Sequence, residues 1–411
     1  MSQTPNEDSR TTRSTFSTHH PLRVAIIGSG PAAFYTAGSL RRKELSVEVD
    51  MYDRLPTPFG LVRGGVAPDH PKIKSVARAY DRTASKPNFR FYGNVEIGSD
   101  VTLDDLKQHY HQIVFCTGAQ TDKHLNIPGI DLGGSHAATE FVAWYNGHPD
   151  YRDLAFDLTQ ERVAVIGIGN VAMDVARILC RTTEELRQTD IAGHALEALS
   201  KSNVKEVYVL GRRGPVQAAF TTPEIREMGN LEDTDVFVLP EEAELDELSQ
   251  TDLGQSRDRA LKKKVEIIQQ YAANQPTGKS RKLTFRFLIS PVELFGDANG
   301  RVNGVRMVKN ELYRTDSGTL RPRAAERRPQ SPQYEEMPVG LVFRSIGYRG
   351  IPLPGVPFND SWGVIPNRRG RVTALGGDDH VVGLYTAGWI KRGPSGVIGT
   401  KRFVAACASR F

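Results

Sequence analysis

The feature that most constrains this chain is a six-residue pattern, G-x-G-x-x-A, that occurs twice about 140 residues apart. Gly28-Ser29-Gly30-Pro31-Ala32-Ala33 follows the apolar run Leu22–Ile27. It opens a helix-prone stretch, Ala32–Lys43, which leads to a second apolar run, Val47–Tyr52. Gly167-Ile168-Gly169-Asn170-Val171-Ala172 follows Arg162–Ile166 and opens Val171–Cys180. A polar, helical stretch over residues 181–203 then leads to Val204–Leu210. Each set is a β–α–β unit. The first glycine permits a tight turn, the second lets backbone N–H groups approach a pyrophosphate, and the alanine keeps helix and sheet close. Ile113–Cys116 adds a third buried strand to the first unit.

The two units differ at the end of their second strand. Asp53 stands 23 residues past Gly30, where a carboxylate accepts hydrogen bonds from an adenosine ribose and repels a 2′-phosphate. The first site is therefore expected to hold FAD or NAD. The second unit offers Gly211-Arg212-Arg213-Gly214, and a guanidinium pair suits the extra phosphate of NADP. With two nucleotide sites in one chain, FAD with NADP(H) is the expected pair, because a flavin accepts hydride and releases electrons one at a time.

At 411 residues the chain has room for two or three domains. Hydrophobic residues are 39% and charged residues 25%, an ordinary globular balance without a run long enough to span a membrane. The net charge of +5 favours acidic partners and anionic cofactors. Nucleic acid is not expected, because the densest basic stretch, Arg257 to Lys264, reads as the solvated face of a helix. Cys116, Cys180 and Cys407 form no C-x-x-C pair. That argues against a disulfide framework, a metal site, a bound iron–sulfur cluster and a redox dithiol, and it suits a cytoplasmic protein. Residues 1–21 read as a disordered tail without a secretory apolar segment.

Further along, Glu241 to Arg281 is charged and helix-prone. Leu283–Ile289, Val302–Val308 and Glu311–Tyr313 read as an antiparallel hairpin or meander, and 314–336 as an exposed loop. Gly340–Ile346 and Val382–Thr386 return to buried-strand character. The loop Gly393–Thr400 is expected to open a helix whose N-terminus faces the flavin pyrimidine end. Pro56–Pro71 reads as an irregular loop rich in backbone N–H groups; taken alone, its His70 is an ordinary loop histidine.

Three segments together carry a family resemblance: Leu55–Lys74, Ala218-Ala219-Phe220-Thr221, and Gly388-Trp389-Ile390-Lys391-Arg392-Gly393-Pro394. They resemble adrenodoxin reductase and its bacterial ferredoxin–NADP reductase relatives, above all the actinobacterial branch, over roughly residues 22–400. The resemblance implies an α/β protein with two Rossmann-like three-layer domains of the glutathione-reductase type. The FAD-binding domain is discontinuous (22–121 and 337–411), and the NADP-binding domain (122–336) is inserted into it. By motif matching, FAD is expected at Pro31, Ala32, Asp53, Leu61, Val95, Trp389, Gly396, Val397 and Ile398, beside Gly28, Gly30 and Ala33 of the turn. NADP(H) is expected at Ile168 to Val171, Arg212, Arg213, Glu224 and Gly396, beside Gly167. His70 and Glu227 match residues near the flavin–nicotinamide junction of the family and are expected to modulate catalysis.

The implied activity is hydride transfer from NADPH to FAD, then single-electron transfer to a ferredoxin-type iron–sulfur protein, by a monomer. The family usually continues well beyond the position of Thr400. Here the last 15 residues allow about four helical turns, roughly 22 Å. Two other readings stay open: an NADPH diaphorase or quinone reductase, and a nucleotide-binding protein whose catalysis is weakened by the short C-terminal stretch.

Overall fold

The computed structural model describes residues 20–40, 46–325 and 334–396. The chain divides into two compact units. The first comprises residues 1–60, 77–119 and 350–411, and the second residues 61–76 and 120–349.

The first unit is built on a seven-stranded sheet. Its order is Asn367–Arg368, Arg371–Thr373, His380–Thr386, Gln112–Phe115, Leu22–Ile27, Val47–Tyr52 and Phe89–Tyr92. The last five strands run parallel, with Leu22 opposite Val47 and Val24 opposite Gln112. Apart from Arg23, the strand Leu22–Ile27 is buried throughout, as the centre of a parallel sheet requires. Helix Pro31–Leu40 covers one face. Its Phe34 stacks on Tyr80 with ring centroids 4.9 Å apart, and Phe59 leans on both rings. Truncating such a buried ring costs about 3–5 kcal/mol. The other face packs Ala25, Ile27, Ile113, Phe115 and Leu384 against Leu106 and Ile390.

The second unit holds a six-stranded, wholly parallel sheet. Its order is Ser135–Ala137, Leu341–Arg344, Arg162–Ile166, Glu206–Leu210, Arg281–Arg286 and Thr234–Val238. Helix Asn170–Cys180 is buried from Ala172 to Cys180 and forms the middle of the unit's core. A separate antiparallel sheet joins Ile289–Gly296, Val302–Arg314, Leu320–Ala324 and Tyr334–Met337.

Several expectations need correction here. Arg281–Arg286 is a parallel strand of the main sheet and not the start of a meander. The chain turns at Leu288, which adopts φ +53°, and only then enters the antiparallel sheet at Ile289. Val302–Arg314 is one long strand. Leu320–Ala324 and Tyr334–Met337 pair with it where an exposed loop was expected. Their polar residues lie on an edge and are held by pairs such as Arg323–Glu311, so alternation of apolar residues is faint. Leu341–Arg344, placed by the sequence with the first unit, is hydrogen-bonded into the second. A continuous buried run fits the middle of either parallel sheet, so its composition is silent on which one it joins. Lys264 is buried, not on a solvated face, because helix Arg259–Ala272 turns it inward beside Val265 and Ile268.

Cys116 and Cys180 are free and buried, and burial pushes both thiols up to about 12. Cys407 and residues 1–19 lie outside the described residues. Among the described residues, no helix is long and apolar enough to cross a membrane.

Candidate functional site

The first glycine turn is shaped by two steric facts. Gly28 adopts φ +93°, and a Cβ there would lie 2.7 Å from the carbonyl oxygen of Cys116 on the neighbouring strand end. At Gly30 a Cβ would meet nothing within 4 Å, so the second glycine opens the turn to an incoming group. The Asp53 carboxylate closes the turn from the other side. Its Oδ2 accepts from Ser29 N at 2.8 Å and Ser29 Oγ at 2.5 Å, and its Oδ1 accepts from Leu55 N at 3.0 Å. Of the roughly four lone-pair positions on a carboxylate, about one remains for a ribose hydroxyl.

Other candidates of the first unit gather on this turn. Phe59 N donates to Ser29 O, Ala33 N to Gly30 O and Val95 N to Asp53 O, each at 3.0 Å. Gly388 adopts φ +81° and packs so closely on the first turn of the helix that a Cβ would lie 2.6 Å from the Ala32 Cβ. Trp389 follows as the first residue of the short helix Trp389–Arg392, with its indole N–H donating to Ser395 O at 3.2 Å. Gly396 is exposed at the end of this stretch, and Val397 and Ile398 lie outside the described residues. Leu61, by contrast, belongs to the second unit, where its carbonyl accepts from Gly65 N and Val66 N.

The second glycine turn repeats the logic more tightly. A Cβ on Gly167, at φ +133°, would lie 2.1 Å from Ser345 O, whereas Gly169 faces open space. Ile168 O accepts from both Ala219 N and Phe220 N, and Asn170 Oδ1 accepts from Thr221 N at 2.9 Å. The segment Ala218–Thr221 is therefore fastened to the turn. The ammonium of buried Lys264 donates to Ala218 O and lies 5.7 Å from the Phe220 ring centroid. Arg212 and Arg213 follow the strand Glu206–Leu210 and are anchored through their carbonyls, by Asn310 Nδ2 and Leu288 N. Among the described residues no carboxylate pairs with either guanidinium. Burial, then the neighbouring charge of Arg212, lowers the pKa of Arg213. Two adjacent cations without an anion form a ready place for a phosphate.

A third cluster lies wholly within the second unit. His70 caps the short helix Pro71–Lys74, and its Nε2 is 2.8 Å from Glu227 Oε2. Arg177, from helix Asn170–Cys180, is fully buried among carboxylates. It donates to Asp69 (2.6 and 3.0 Å), Asp174 (2.7 Å) and Glu224 (3.2 Å), and Glu227 lies 3.9 Å away. Removing one partner from such a buried pair costs about 3–5 kcal/mol. Glu224, expected at the NADP site, is therefore placed with His70 and Glu227 beside Arg177.

Burial and the charge of Arg177 oppose charge on His70, but the Glu227 hydrogen bond and the charges of Asp69 and Asp174 outweigh them, so the imidazole is raised. Glu227 is correspondingly lowered, chiefly by that bond. Burial, then the nearby charge of Asp174, pushes Glu224 up to about 7. The ligand atoms of His70, Glu224 and Glu227 lie within 4.8 Å of one another, but Arg177 already supplies the cation among them. Sequence reasoning missed Asp69, Asp174, Arg177, Arg181 and Lys264. The legible signal for Asp174 and Arg177 was an i,i+3 charge pair in an otherwise apolar helix.

Comparison with known proteins fits this geometry. The pattern of the pyridine nucleotide-disulphide oxidoreductase family matches residues 22–230. The NADPH-ferredoxin reductase FprA of Mycobacterium tuberculosis is 46% identical over 387 residues, 93% of this chain and 81% of that protein. This chain belongs to the adrenodoxin reductase-type ferredoxin–NADP reductase family. Another relative is the mitochondrial NADPH:adrenodoxin oxidoreductase of Arabidopsis thaliana, 42% identical over 94% of this chain and 80% of that protein. The solved structure of Mycobacterium tuberculosis FprA in complex with NADPH matches with a TM-score of 0.87 at 44% identity, over 95% of this chain and 83% of that one. A thioredoxin reductase of T. acidophilum shares the fold, with a TM-score of 0.50 at 16% identity. Membership of the reductase family agrees with two glycine turns, each at the end of a parallel strand.

Proposed function

We propose that this chain is an FAD-containing reductase that takes hydride from NADPH and passes electrons singly to a ferredoxin-type iron–sulfur protein. The observation that carries the reading is the contrast between the two turns. One is closed by the Asp53 carboxylate, and the other is flanked by Arg212 and Arg213, which lack an anionic partner among the described residues.

The first unit is the FAD-binding domain in this reading. The cradle fits the group: a glycine pressed on Cys116 O, open space at Gly30 and a carboxylate that disfavours a 2′-phosphate. Gly28, Gly30, Pro31, Ala32, Ala33, Asp53, Val95, Trp389 and Gly396 would hold it. FAD, when bound, supplies an acceptor for two electrons that can leave one at a time.

The second unit is the NADP-binding domain. Gly167, Ile168, Gly169, Asn170 and Val171 would carry the pyrophosphate on the helix N-terminus, and Arg212 and Arg213 the 2′-phosphate. Glu224 is a further contact for NADP(H) in this reading, and its carboxylate lies beside Arg177. His70 and Glu227 hold a proton between Nε2 and Oε2 and modulate the reaction electrostatically. The protein's positive net charge suits an acidic iron–sulfur partner, so docking is sensitive to salt. The reading includes a cytoplasmic location and a monomer.

Anaerobic titration of the purified protein with NADPH, and separately NADH, tests it. Bleaching of flavin absorbance by NADPH at far lower concentration than by NADH supports the reading. Equal response to both removes the Arg212/Arg213 assignment, and a colourless protein that takes up no FAD removes the reading itself.

A further inference from the structure

Asp69 and His70 are consecutive, and both reach from the segment Leu61–Val76 into the helices of the second unit. The Asp69 side chain is only 3% exposed. Its carboxylate takes the Nε and Nη2 edge of Arg177 at 2.6 and 3.0 Å, and Arg181 Nε donates to it at 2.8 Å. Two guanidiniums on one carboxylate hold it well below the usual range, against the burial that would raise it.

The arrangement around Arg177 gives this contact a consequence. Its Nη2 is shared between Asp69 and Asp174, and its Nη1 donates to Glu224 while lying 3.9 Å from Glu227 Oε2. Glu227 Oε2 is also the atom that meets His70 Nε2. Two cationic donors therefore stand ready for one carboxylate oxygen, and the fork on Asp69 fixes the guanidinium in the position that leaves Glu227 to the imidazole.

We propose that Asp69 is a positioning residue for the His70–Glu227 pair: by holding Arg177 and Arg181 it keeps the Arg177 guanidinium off Glu227 and seats His70 opposite that carboxylate. Without Asp69, Arg177 turns toward Glu227 and competes with His70. The groups facing His70 are Asp174 and Arg177 of helix Asn170–Cys180, Glu224 and Glu227 of helix Thr222–Met228, and Asp69 of its own segment. The Tyr145 phenol of helix Ala138–Tyr145, which interacts with Asp69, Asp174 and Arg177, is pushed far up by burial and stays neutral. Losing Asp69 removes one anion near the imidazole and frees one cation beside its partner, so both changes weaken proton binding at His70.

The test follows the His70 ring in the full chain carrying its cofactor, using histidine-selective labelling, with the resonance assigned by its disappearance in His70→Gln. In Asp69→Asn the midpoint is expected to fall by about one pH unit, a roughly tenfold loss of proton affinity. The double variant D69N/R181Q, which removes one anion with one cation, folds with less charge imbalance and is expected to show a fall of the same sign. A midpoint unchanged in either folded variant overturns the proposal: in D69N/R181Q an anion and a cation go together, so loss of charge alone would leave the titration in place, whereas release of Arg177 onto Glu227 lowers it. The kinetic consequence rests on the reductase reading: the alkaline limb of the pH profile for NADPH-driven dye reduction shifts down with the midpoint. A protein that reduces no dye with NADPH yet shows the shifted titration would refute that reading and leave the positioning role standing.

Discussion

Replacing Arg213 with glutamine tests the heart of the functional argument. The guanidinium is half-buried, beside Arg212, without a carboxylate partner among the described residues. A charge-assisted hydrogen bond to a phosphate in such a setting contributes about 1.5–3 kcal/mol. Taking about 2 kcal/mol, Arg213→Gln is expected to lower kcat/KM for NADPH about 30-fold. Arg212 is exposed and more strongly screened, so Arg212→Gln is expected to lose only about fivefold. NADH lacks the 2′-phosphate, so its kcat/KM should stay within about twofold of the parent in both variants. Steady-state reduction of an artificial acceptor with each nucleotide, at two salt concentrations, measures all of this. If NADH and NADPH lose activity in parallel, the arginines support the fold of the loop and do not read the phosphate. If neither changes, the phosphate binds elsewhere.

The remaining expectations concern shape and protonation. Gly167→Ala places a Cβ 2.1 Å from Ser345 O at a φ unfavourable to any side chain; it should cost about 2–4 kcal/mol, read as a lower midpoint in urea unfolding. Gly388→Ala pushes the Trp389 turn away from Ala32, and the purified protein should carry less flavin per chain, measured from the ratio of visible to ultraviolet absorbance; an unchanged ratio would show that this contact does not shape the cradle. Glu224 has a folded value of about 7 against an ordinary 4.5, so the folded state binds its proton more tightly. Its contribution to stability is fully present below about pH 4.5 and is lost as pH rises through about 7. Glu224→Gln should flatten that part of the stability–pH curve, and a curve parallel to the parent's across the window would contradict the assignment of a raised value.

What the sequence determined by itself was local and backbone-driven. Gly28 and Gly167 announce their turns because positive φ and a close carbonyl admit only glycine there. Asp53 and the Arg212–Arg213 pair could be read because each follows the strand that its own glycine turn defines. The helix at Val171–Cys180 was legible for the same reason, since period and composition act over a few residues. Pairing across long separations was not legible. Asp69 and Arg177 stand 108 positions apart, and His70 and Glu227 157. Nothing in either neighbourhood names the other, since the same residues satisfied by water would look identical in a string of letters. Only the tertiary structure decided that Leu61–Val76 joins the second unit, that Leu341–Arg344 enters its sheet, and that Lys264 turns inward. In each case the deciding force is burial against a particular partner. Burying a charge is costly unless another group already occupies the place beside it.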